Sequence, residues 1–363
     1  MVIDFASAAA GAVLTIDLHA ITENWRRLGQ MSGAAECAAV VKADAYGLGA
    51  AQVATALQEA GCRTFFVAHL EEGIALRAAI GPGSRIFVLH GAPARTEAAC
   101  LASGLIPVIN TASELARWRG IAASSGTRPS IAIQVDSGMT RLGMSQAEVE
   151  ALTAANFDGL SVELILSHLA RADEPDQPAS AQQRVAFERL RKLLPAAKAS
   201  LANSSGVYLG GDYQYDLARP GAALYGINPT PGRANPMLPV VTLSARIMQM
   251  RDVAPDTGVG YGHAVRTGRA SRLATICLGY ADGWPRNSTA GAFFHGQSLP
   301  LFGRVSMDSI ILDATDCADM PAEGDFVELI GGDQTVDDVA QSAATIGYEI
   351  LTRLGRRFNR RYV

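Results

Sequence analysis

The chain has 363 residues, of which 48% are hydrophobic and 18% charged, and its formal net charge is −4. This composition is that of a globular protein with room for one large domain and a smaller one, and it excludes a strongly basic nucleic-acid-binding protein. No apolar run reaches the roughly 18 residues of a membrane span, and the N-terminal segment carries Asp4 and lacks a basic region, which argues against a secretory signal. Five cysteines without a C-x-x-C pair predict reduced thiols in a cytoplasmic protein, and no metal site is expected.

Short apolar runs alternate with helical segments between residues 37 and 226, and there are eight of them. The segments between the runs are amphipathic, and one opens with a capping box formed by Thr111 and Glu114. Strands that alternate with helices predict a parallel sheet, and eight such units favour a (β/α)8 barrel of the TIM type over an open sheet. The runs are CAAVVK at 37, TFFVAH at 64, RIFVLH at 85, LIPVIN at 105, SIAIQVD at 130, VELILSH at 162, KASLANS at 198 and LARPGAALYG at 217.

Beyond residue 238 the pattern changes to β-branched stretches separated by Gly, Pro and Asp turns, which predicts a mostly β domain. The segment NPTPGRANPMLP is rich in turn residues and is the expected crossover between the two domains. We therefore place the barrel at residues 13–236 and the β domain at residues 237–363. Residues 1–12 are expected either to pair with the second domain or to be disordered.

A lysine stands where the first apolar run ends, in the stretch AAVVKADAYGLGA at residues 38–50. Lysine is among the residues least often found fully buried. Lys42 therefore either leaves the core for solvent, or its amine is kept partly desolvated for chemistry.

Other polar residues follow the later runs, and active sites of such barrels lie at the carboxyl ends of the strands. Asp136 ends the fifth run, His168 ends the sixth, and Arg219 lies in the eighth. The seventh run ends in the turn Asn-Ser-Ser-Gly at residues 203–206, which is either an ordinary turn or a phosphate site of the kind common at this position. A phosphate site and a lysine on another strand end suggest pyridoxal phosphate, with the lysine bound to its aldehyde. His168 then either packs against the pyridine ring or is an ordinary half-buried core histidine.

Several motifs along the chain together resemble bacterial alanine racemase, a family of fold-type III pyridoxal-phosphate enzymes. The resemblance runs from about residue 13 to Tyr362, and the order of the motifs makes it specific. The motifs are VVKADAYGLGA, DSGMTRLG, SHLARADE, NSSG, RPGAALYG, VGYG, GYADGWPR and GRVSMD.

In that family a homodimer with shared active sites, each chain made of a barrel and a β domain, uses pyridoxal phosphate to interconvert L- and D-alanine. The resemblance implies that Lys42 is the Schiff-base lysine and one of two proton-transfer bases. It implies that His168 contacts the ring and that Arg219 faces the pyridine nitrogen. Arg141, one of the substrate-binding residues, is expected near the phenolic oxygen of the cofactor and the catalytic tyrosine. The other implied cofactor contacts are Tyr46, Asn203, Ser204, Gly221, Ala222 and Tyr348.

The β domain is expected to supply the second half of the site. The resemblance implies that Tyr261 is the second base, delivered by the partner subunit, and that Met307 and Asp308 border the substrate carboxylate across the dimer. Gln134 stands where the family often has a lysine modified to a carbamate, and we hypothesise that its carbonyl oxygen or a small anion orients Arg141 instead. The implied entry passage consists of Asp173, Tyr280, Arg286 and Arg304.

This arrangement explains racemisation, because two bases on opposite faces of the cofactor can remove the α-proton from one side and return it on the other. A free tyrosine titrates near pH 10, so a nearby arginine is needed to favour the phenolate of Tyr261. Arg219 can only donate to the pyridine nitrogen, which leaves the ring a weaker electron sink and disfavours transamination.

Other functions stay open at this point. A racemase of another small amino acid such as serine would use the same residues. A non-catalytic pyridoxal-phosphate carrier would need neither the β domain nor Tyr261, and a decarboxylase would need a carboxylate in place of Arg219. The sequence does not distinguish D-alanine supply for peptidoglycan from alanine catabolism.

Overall fold

The computed structural model describes residues 9–363 and divides into two compact units. One unit is Ile21–Leu238, and the other combines the segment that ends at Ala20 with Pro239–Val363. Among the described residues, every helix is too short or too polar to cross a bilayer.

The first described strand, β1 (Ala12–Ile16), belongs to the second unit, and the helix α1 (Leu18–Met31) follows it. β1 pairs antiparallel with a strand that starts at Val241 and parallel with one that starts at Asn359. The predicted start of the barrel at residue 13 is therefore wrong, because this apolar strand finds its partners in the β unit. Of the residues 1–12 that were expected to pair there or to be disordered, 1–8 lie outside the described part.

Parallel strands of Ile21–Leu238 follow one another in chain order around a curved sheet, as the rhythm of the sequence predicted. Neighbouring strands pair in parallel register, with Phe66 opposite Phe87 for example. These strands are mostly buried along their length, as expected for a sheet covered on both faces. The strands are β2 (Glu36–Cys37), β3 (Ala39–Val40), β4 (Thr64–Val67), β5 (Arg85–Val88), β6 (Ile106–Ile109), β7 (Ser130–Gln134), β8 (Ser161–Leu166), β9 (Lys198–Ser200) and β10 (Leu217–Ala218).

The short strands β2 and β10 close the ring. They pair in parallel, and just beyond them the N–H of Val40 donates to the carbonyl of Pro220 at 3.0 Å. On the other side of β10, the backbone N–H of Arg219 donates to the carbonyl of Ala202 at 2.9 Å. Pro220 lacks an N–H, yet its carbonyl takes part in the closure, so the proline is compatible with the eighth strand. The predicted (β/α)8 barrel is confirmed.

Helices connect the strands of the barrel, and one of them starts at the residue that the sequence predicted. The Thr111 side chain accepts a hydrogen bond from the backbone N–H of Glu114 at 3.2 Å, which is half of the expected capping box. The helices after α1 are α2 (Ala50–Glu59), α3 (Leu70–Ile80), α4 (Glu97–Ala102), α5 (Ala112–Ser125), α6 (Gln146–Glu150) and α7 (Ala179–Arg191).

The second unit is mostly β, as predicted. Its strands after β1 are β11 (Val241–Val253), β12 (Gly258–Val259), β13 (Val265–Arg266), β14 (Ser271–Ile276), β15 (Ala292–Phe294), β16 (Gln297–Leu299), β17 (Ile310–Asp313), β18 (Phe326–Ile330) and β19 (Asn359–Tyr362), and its helices are α8 (Val336–Ser342) and α9 (Gly347–Arg353). The main sheet has the order β16–β15–β18–β11–β1–β19. The long strand β11 also pairs with β14, which in turn pairs with β17.

A charged cluster joins the amino ends of four barrel strands. The Glu36 carboxylate accepts hydrogen bonds from Thr64 Oγ1 and from Arg85 Nη2, both at 2.5 Å, and lies 3.8 Å from Lys198 Nζ. Burial acts to raise the pKa of Glu36, but the hydrogen bonds from Arg85 and Thr64 outweigh it and hold the pKa below its usual value. The cluster is therefore a source of barrel stability that depends on an ionised Glu36.

We predict that Glu36→Gln lowers the free energy of unfolding by about 1–2 kcal/mol at neutral pH, because the neutral amide loses charge-assisted bonds. A carboxyl whose folded pKa is lowered stabilises above its unfolded pKa of about 4.3, and this stabilisation disappears as the pH falls through the folded value. Denaturant titrations of both proteins from neutral to acidic pH should show the two free energies converging in acid.

Glu174→Gln is the matched control, since Glu174 pairs with Arg171 on the exposed surface and should contribute little. An equal loss of stability in the two variants would contradict a special role for the cluster.

Candidate active site

A cavity of about 360 Å³ opens at the carboxyl ends of the barrel strands. It brings together Lys42, His168 and Arg219, which the sequence analysis took from different strand ends, with Arg141, which the family resemblance implied. The remaining lining residues are Leu89, His90, Gln134, Leu142 and Leu166. The strand-end rule therefore leads to residues that share one cavity.

Lys42 lies half-buried in this cavity directly after the first barrel strand. Burial lowers the pKa of its amine, the positive charge of Arg141 lowers it further, and the carboxylate of Glu72 opposes both. The amine is thus kept partly desolvated, and more of it is neutral at a given pH than for a lysine in water.

The four residues after Lys42 form a left-handed turn. Ala43, Asp44, Ala45 and Tyr46 have φ angles of 53°, 55°, 53° and 55°. This conformation costs about 1–2 kcal/mol for each residue other than glycine, so surrounding contacts must stabilise it. The N–H of Ala45 donates to Val41 O at 2.9 Å, and the N–H of Ala50 donates to the Asp44 side chain at 2.7 Å. The turn places the buried Tyr46 ring 4.8 Å from that of Tyr225.

A cluster of polar groups near the seventh and eighth strands is suited to an anion. Ser204 is 4% exposed, and its Oγ accepts the backbone N–H groups of Gly221 at 2.9 Å and of Ala223 at 3.2 Å. The Tyr46 hydroxyl packs so closely on Gly221 that a Cβ there would overlap it. Asn203 shapes the adjoining turn, since its Oδ1 accepts the N–H of Gly206 at 2.9 Å. Two hydroxyls and backbone N–H groups therefore converge where the sequence predicted a phosphate.

Arg219 is buried and held by two partners from neighbouring strands. One guanidinium nitrogen donates to Ser200 Oγ, and the other donates to the carbonyl of Ser167 at 2.6 Å. Burial lowers the pKa of Arg219 to about 10, so the group still carries its charge at neutral pH.

His168 contributes a neutral ring to the cavity. Burial lowers its pKa to about 3, with further contributions from the positive charges of Arg219, Arg141 and Lys42. Gln183 on α7 fixes the backbone here, because it donates to His168 O at 2.9 Å and accepts from Ala170 N at 2.8 Å. The sequence analysis missed Gln183, since a glutamine in an amphipathic helix gives no signal of this role.

Arg141 follows a loop that Asp136 organises. One Asp136 oxygen accepts the N–H groups of Gly138, Met139 and Thr140 at 2.9–3.0 Å. Gln134 donates its amide to Leu142 O at 3.2 Å. Within the described residues no hydrogen bond joins Gln134 to Arg141, so the hypothesis that the Gln134 carbonyl orients the arginine is not supported.

Three predicted residues of the second unit, Tyr261, Tyr280 and Met307, are exposed. Tyr261 lies between Gly260 and Gly262, both with φ of 68°, and is 75% exposed. The loops of Tyr280 and Met307 are joined by backbone bonds of 3.0 Å, from Tyr280 N to Ser306 O and from Ala281 N to Met307 O. The side chains of Tyr280 and Met307 are themselves exposed, so these two adjoining loops offer an aromatic and an apolar side chain to solvent in the single chain.

Asp308 lies in a charged network that sequence reasoning missed. Arg357 donates to Asp308 Oδ1 at 2.7 Å and binds Asp282 with two nitrogens at 2.7 and 2.9 Å. Tyr348 lies on α9 of the same unit and is 39% exposed. The remaining predicted entry residues are all exposed, namely Asp173 in the barrel unit and Arg286 and Arg304 in the β unit.

We predict that Gly221→Ala weakens the affinity for pyridoxal phosphate about tenfold or more. The added Cβ would displace the Tyr46 hydroxyl, so that this hydroxyl no longer lies beside the Ser204 hydroxyl and the Gly221 backbone. Titration of the cofactor-free protein, followed by absorbance, measures the affinity. Gly120→Ala is the matched control, since nothing lies within 4 Å of a Cβ at that helical position. A normal affinity in Gly221→Ala would show that this cluster does not bind the phosphate.

Comparison with known proteins shows which family the chain resembles. The family model described as "Alanine racemase, N-terminal domain" matches residues 16–229, and "Alanine racemase, C-terminal domain" matches residues 240–362. A protein of Mesorhizobium japonicum named "Alanine racemase, catabolic" is 58% identical over 98% of this chain and 94% of its own length. One of the same name from Agrobacterium fabrum is 45% identical over 99% and 94%.

A solved structure indicates the same family. The alanine racemase of Bartonella henselae, determined with covalently bound pyridoxal phosphate, has a TM-score of 0.94 and 44% sequence identity, and the match covers 98% of this chain and all of that one. The resemblance that the motifs predicted is confirmed, as are the fold class and the assignment to a family of pyridoxal-phosphate-dependent isomerases. The chain belongs to the alanine racemase family.

Proposed function

We propose that this protein interconverts L- and D-alanine, with pyridoxal phosphate held on Lys42 and with Lys42 and Tyr261 of a second copy as the two proton-transfer groups. The observation that carries the proposal is the Lys42 amine, whose pKa is lowered in a cavity that also contains His168 and Arg219. The relatives named alanine racemase support the substrate.

The residues present fit pyridoxal phosphate at each of its parts. Ser204, Tyr46 and the N–H groups at Gly221 would bind the phosphate, and the overlap of a Cβ at Gly221 with the Tyr46 hydroxyl explains the glycine. Lys42 Nζ would form the covalent link, and the neutral His168 ring would pack on the pyridine. When bound, the cofactor withdraws electrons from the amino acid and acidifies its α-hydrogen.

Lys42 and Tyr261 would move protons on opposite faces. A lowered pKa makes more of the Lys42 amine neutral at a given pH, so Nζ could accept a proton from the α-carbon and return it. Tyr261 is 75% exposed in the single chain, as expected for a side chain that completes the site of a partner. Arg141 would stabilise the Tyr261 phenolate there, because it lines the cavity as a cation.

Arg219 would select racemisation over side reactions. Its guanidinium donates to Ser200 and Ser167 and keeps its charge, so it can donate a hydrogen bond to the pyridine nitrogen but cannot accept one. Arg219 would therefore leave the pyridine nitrogen unprotonated, which would limit electron withdrawal and favour quick return of the proton to the α-carbon.

We also propose a catabolic role, since relatives that are 58% and 45% identical carry the word catabolic in their names. Growth of a deletion strain on alanine as sole carbon source, compared with its need for added D-alanine, separates this role from peptidoglycan supply. A cytoplasmic location, and a specificity for alanine over serine, stay predictions.

A direct test of the cofactor link is reduction of the protein with borohydride, followed by peptide mapping. We expect the label on Lys42 and racemisation of L-alanine by the unreduced enzyme, monitored by chiral chromatography. A label on another lysine, or turnover of serine but not of alanine, would contradict the proposal.

We predict that Tyr261→Phe lowers kcat by about two orders of magnitude or more with the cofactor absorbance unchanged, because the phenol is removed and the binding residues remain. An effect confined to KM would contradict a proton-transfer role.

Mixed dimers test whether the site is shared. Lys42→Ala and Tyr261→Phe subunits are each inactive alone, but a mixed dimer keeps one intact site if Tyr261 crosses to the partner. Random exchange should then restore about a quarter of wild-type activity. No recovery after verified exchange would place both groups within one chain.

We predict that Arg219→Glu raises the ratio of transamination to racemisation, because a carboxylate favours a protonated pyridine nitrogen. Formation of the 2-oxo acid from alanine is measured beside the change in enantiomer ratio. Arg219→Lys keeps a donor at this position and should leave the ratio near the wild-type value, so a rise in both variants would argue for disrupted packing instead.

A further inference from the structure

Glu72, the third residue of α3, joins the loops that follow the first two parallel strands of the barrel. One oxygen accepts the backbone N–H groups of Ala68 at 2.7 Å and of His69 at 3.1 Å, which cap its own helix. The other oxygen accepts the N–H of Ala43 at 2.7 Å. Ala43 directly follows Lys42, so a single carboxylate connects the start of α3 to the turn that carries the lysine.

The left-handed turn after Lys42 depends on contacts from outside. Its residues Ala43 to Tyr46 all have positive φ, and none of them is a glycine. Within the turn and its ends, bonds from Ala45 N to Val41 O and from Gly47 N to Ala43 O satisfy part of the backbone. The N–H of Ala43 is the group next to Lys42, and its acceptor is Glu72. A change at Glu72 therefore acts on the turn at the point closest to the amine.

Glu72 also provides a negative charge where the other charges are positive. The cations that line the cavity with Lys42 are Arg141 and Arg219, and burial lowers the pKa of the two lining histidines, His90 and His168. Glu72 raises the pKa of Lys42, whereas burial and Arg141 lower it. Loss of the carboxylate would therefore lower the pKa of Lys42 further, because the ammonium loses its favourable interaction.

We propose that Glu72 is a positioning residue for Lys42, one that orients its turn through Ala43 and balances the positive charges around its amine. The inference rests on the proposed function of Lys42 as the cofactor lysine. Sequence reasoning did not single out Glu72, because an acidic residue in a first helical turn is ordinary capping chemistry.

Glu148 offers a matched control. It caps α6 through Ser145 N at 2.9 Å and also accepts the N–H of Ala112 at 3.3 Å, so it too connects its helix to a neighbouring loop. Neither Ala112 nor its neighbours line the cavity. Both Glu72→Gln and Glu148→Gln thus remove a carboxylate that caps a helix and binds a neighbouring loop. Only Glu72→Gln removes a contact to the turn that carries Lys42.

The test compares the two variants with wild type in the full-length protein. The pH dependence of Lys42 modification by an amine reagent, without cofactor, is followed by peptide mass spectrometry. For the holoenzymes, kcat, KM and the pH profile of kcat/KM are measured, and the melting temperature reports stability. For Glu72→Gln we expect a modification midpoint at lower pH and kcat about tenfold lower or more, with similar KM. For Glu148→Gln we expect a comparable loss in melting temperature and unchanged kinetics.

Glu72→Asp separates charge from geometry and remains available if Glu72→Gln does not fold. It keeps the negative charge, so the modification midpoint should stay near the wild-type value while the shorter side chain lowers kcat. Equal behaviour of Glu72→Gln and Glu148→Gln in midpoint and kcat, or a wild-type kcat in Glu72→Asp, would overturn the inference. Failure of the proposed function is distinct, since wild type itself would then lack racemisation or a label on Lys42.

Discussion

The closure of the barrel between its first and eighth strands is the constraint on which the site depends. The hydrogen bond from Val40 N to Pro220 O fixes the end of one strand against the end of the other. Lys42 lies two residues beyond Val40, and Arg219 and Gly221 flank Pro220. The same bond therefore fixes the relative positions of the amine, the buried guanidinium and the backbone that we propose binds the phosphate. Parallel strands in a closed ring all direct their carboxyl ends to one face, which is why residues distant in sequence share one cavity.

The electrostatics of that cavity favour an anion. Lys42, Arg141, His168 and Arg219 line it together, and both Lys42 and His168 have lowered pKa values partly because the neighbouring cations oppose their protonation. An anionic ligand relieves this mutual repulsion, so its binding should also stabilise the fold. The cavity is therefore suited to ligands that carry phosphate or carboxylate groups, as the proposed cofactor and substrate do.

Sequence alone predicted the barrel and the residues at its strand ends, because strand rhythm and strand-end polarity are local signals. It did not predict the left-handed turn after Lys42, since a run of alanine and aspartate does not by itself indicate positive φ. The turn is stabilised by bonds from Ala50 to the Asp44 side chain and from Ala43 to Glu72, and the second of these joins segments far apart in the chain. Strand β1 was assigned to the wrong unit because the apolar run AVLTI does not reveal its partners. Arg357 was missed for the same reason, as its bonds to Asp282 and Asp308 join segments far apart in the chain.

The position of β1 between β11 and β19 has a consequence for how the polypeptide is made. On a translating ribosome this strand emerges early, yet both of its neighbours follow the whole barrel. Until they appear, its backbone hydrogen-bonding groups lack their final partners on either side, and such an unpaired strand invites association with other nascent chains. All strands of the barrel unit, Ile21–Leu238, are synthesised before β11 and β19. We therefore expect the barrel unit to fold first and the β unit, which is built from two separate segments of the chain, to fold last.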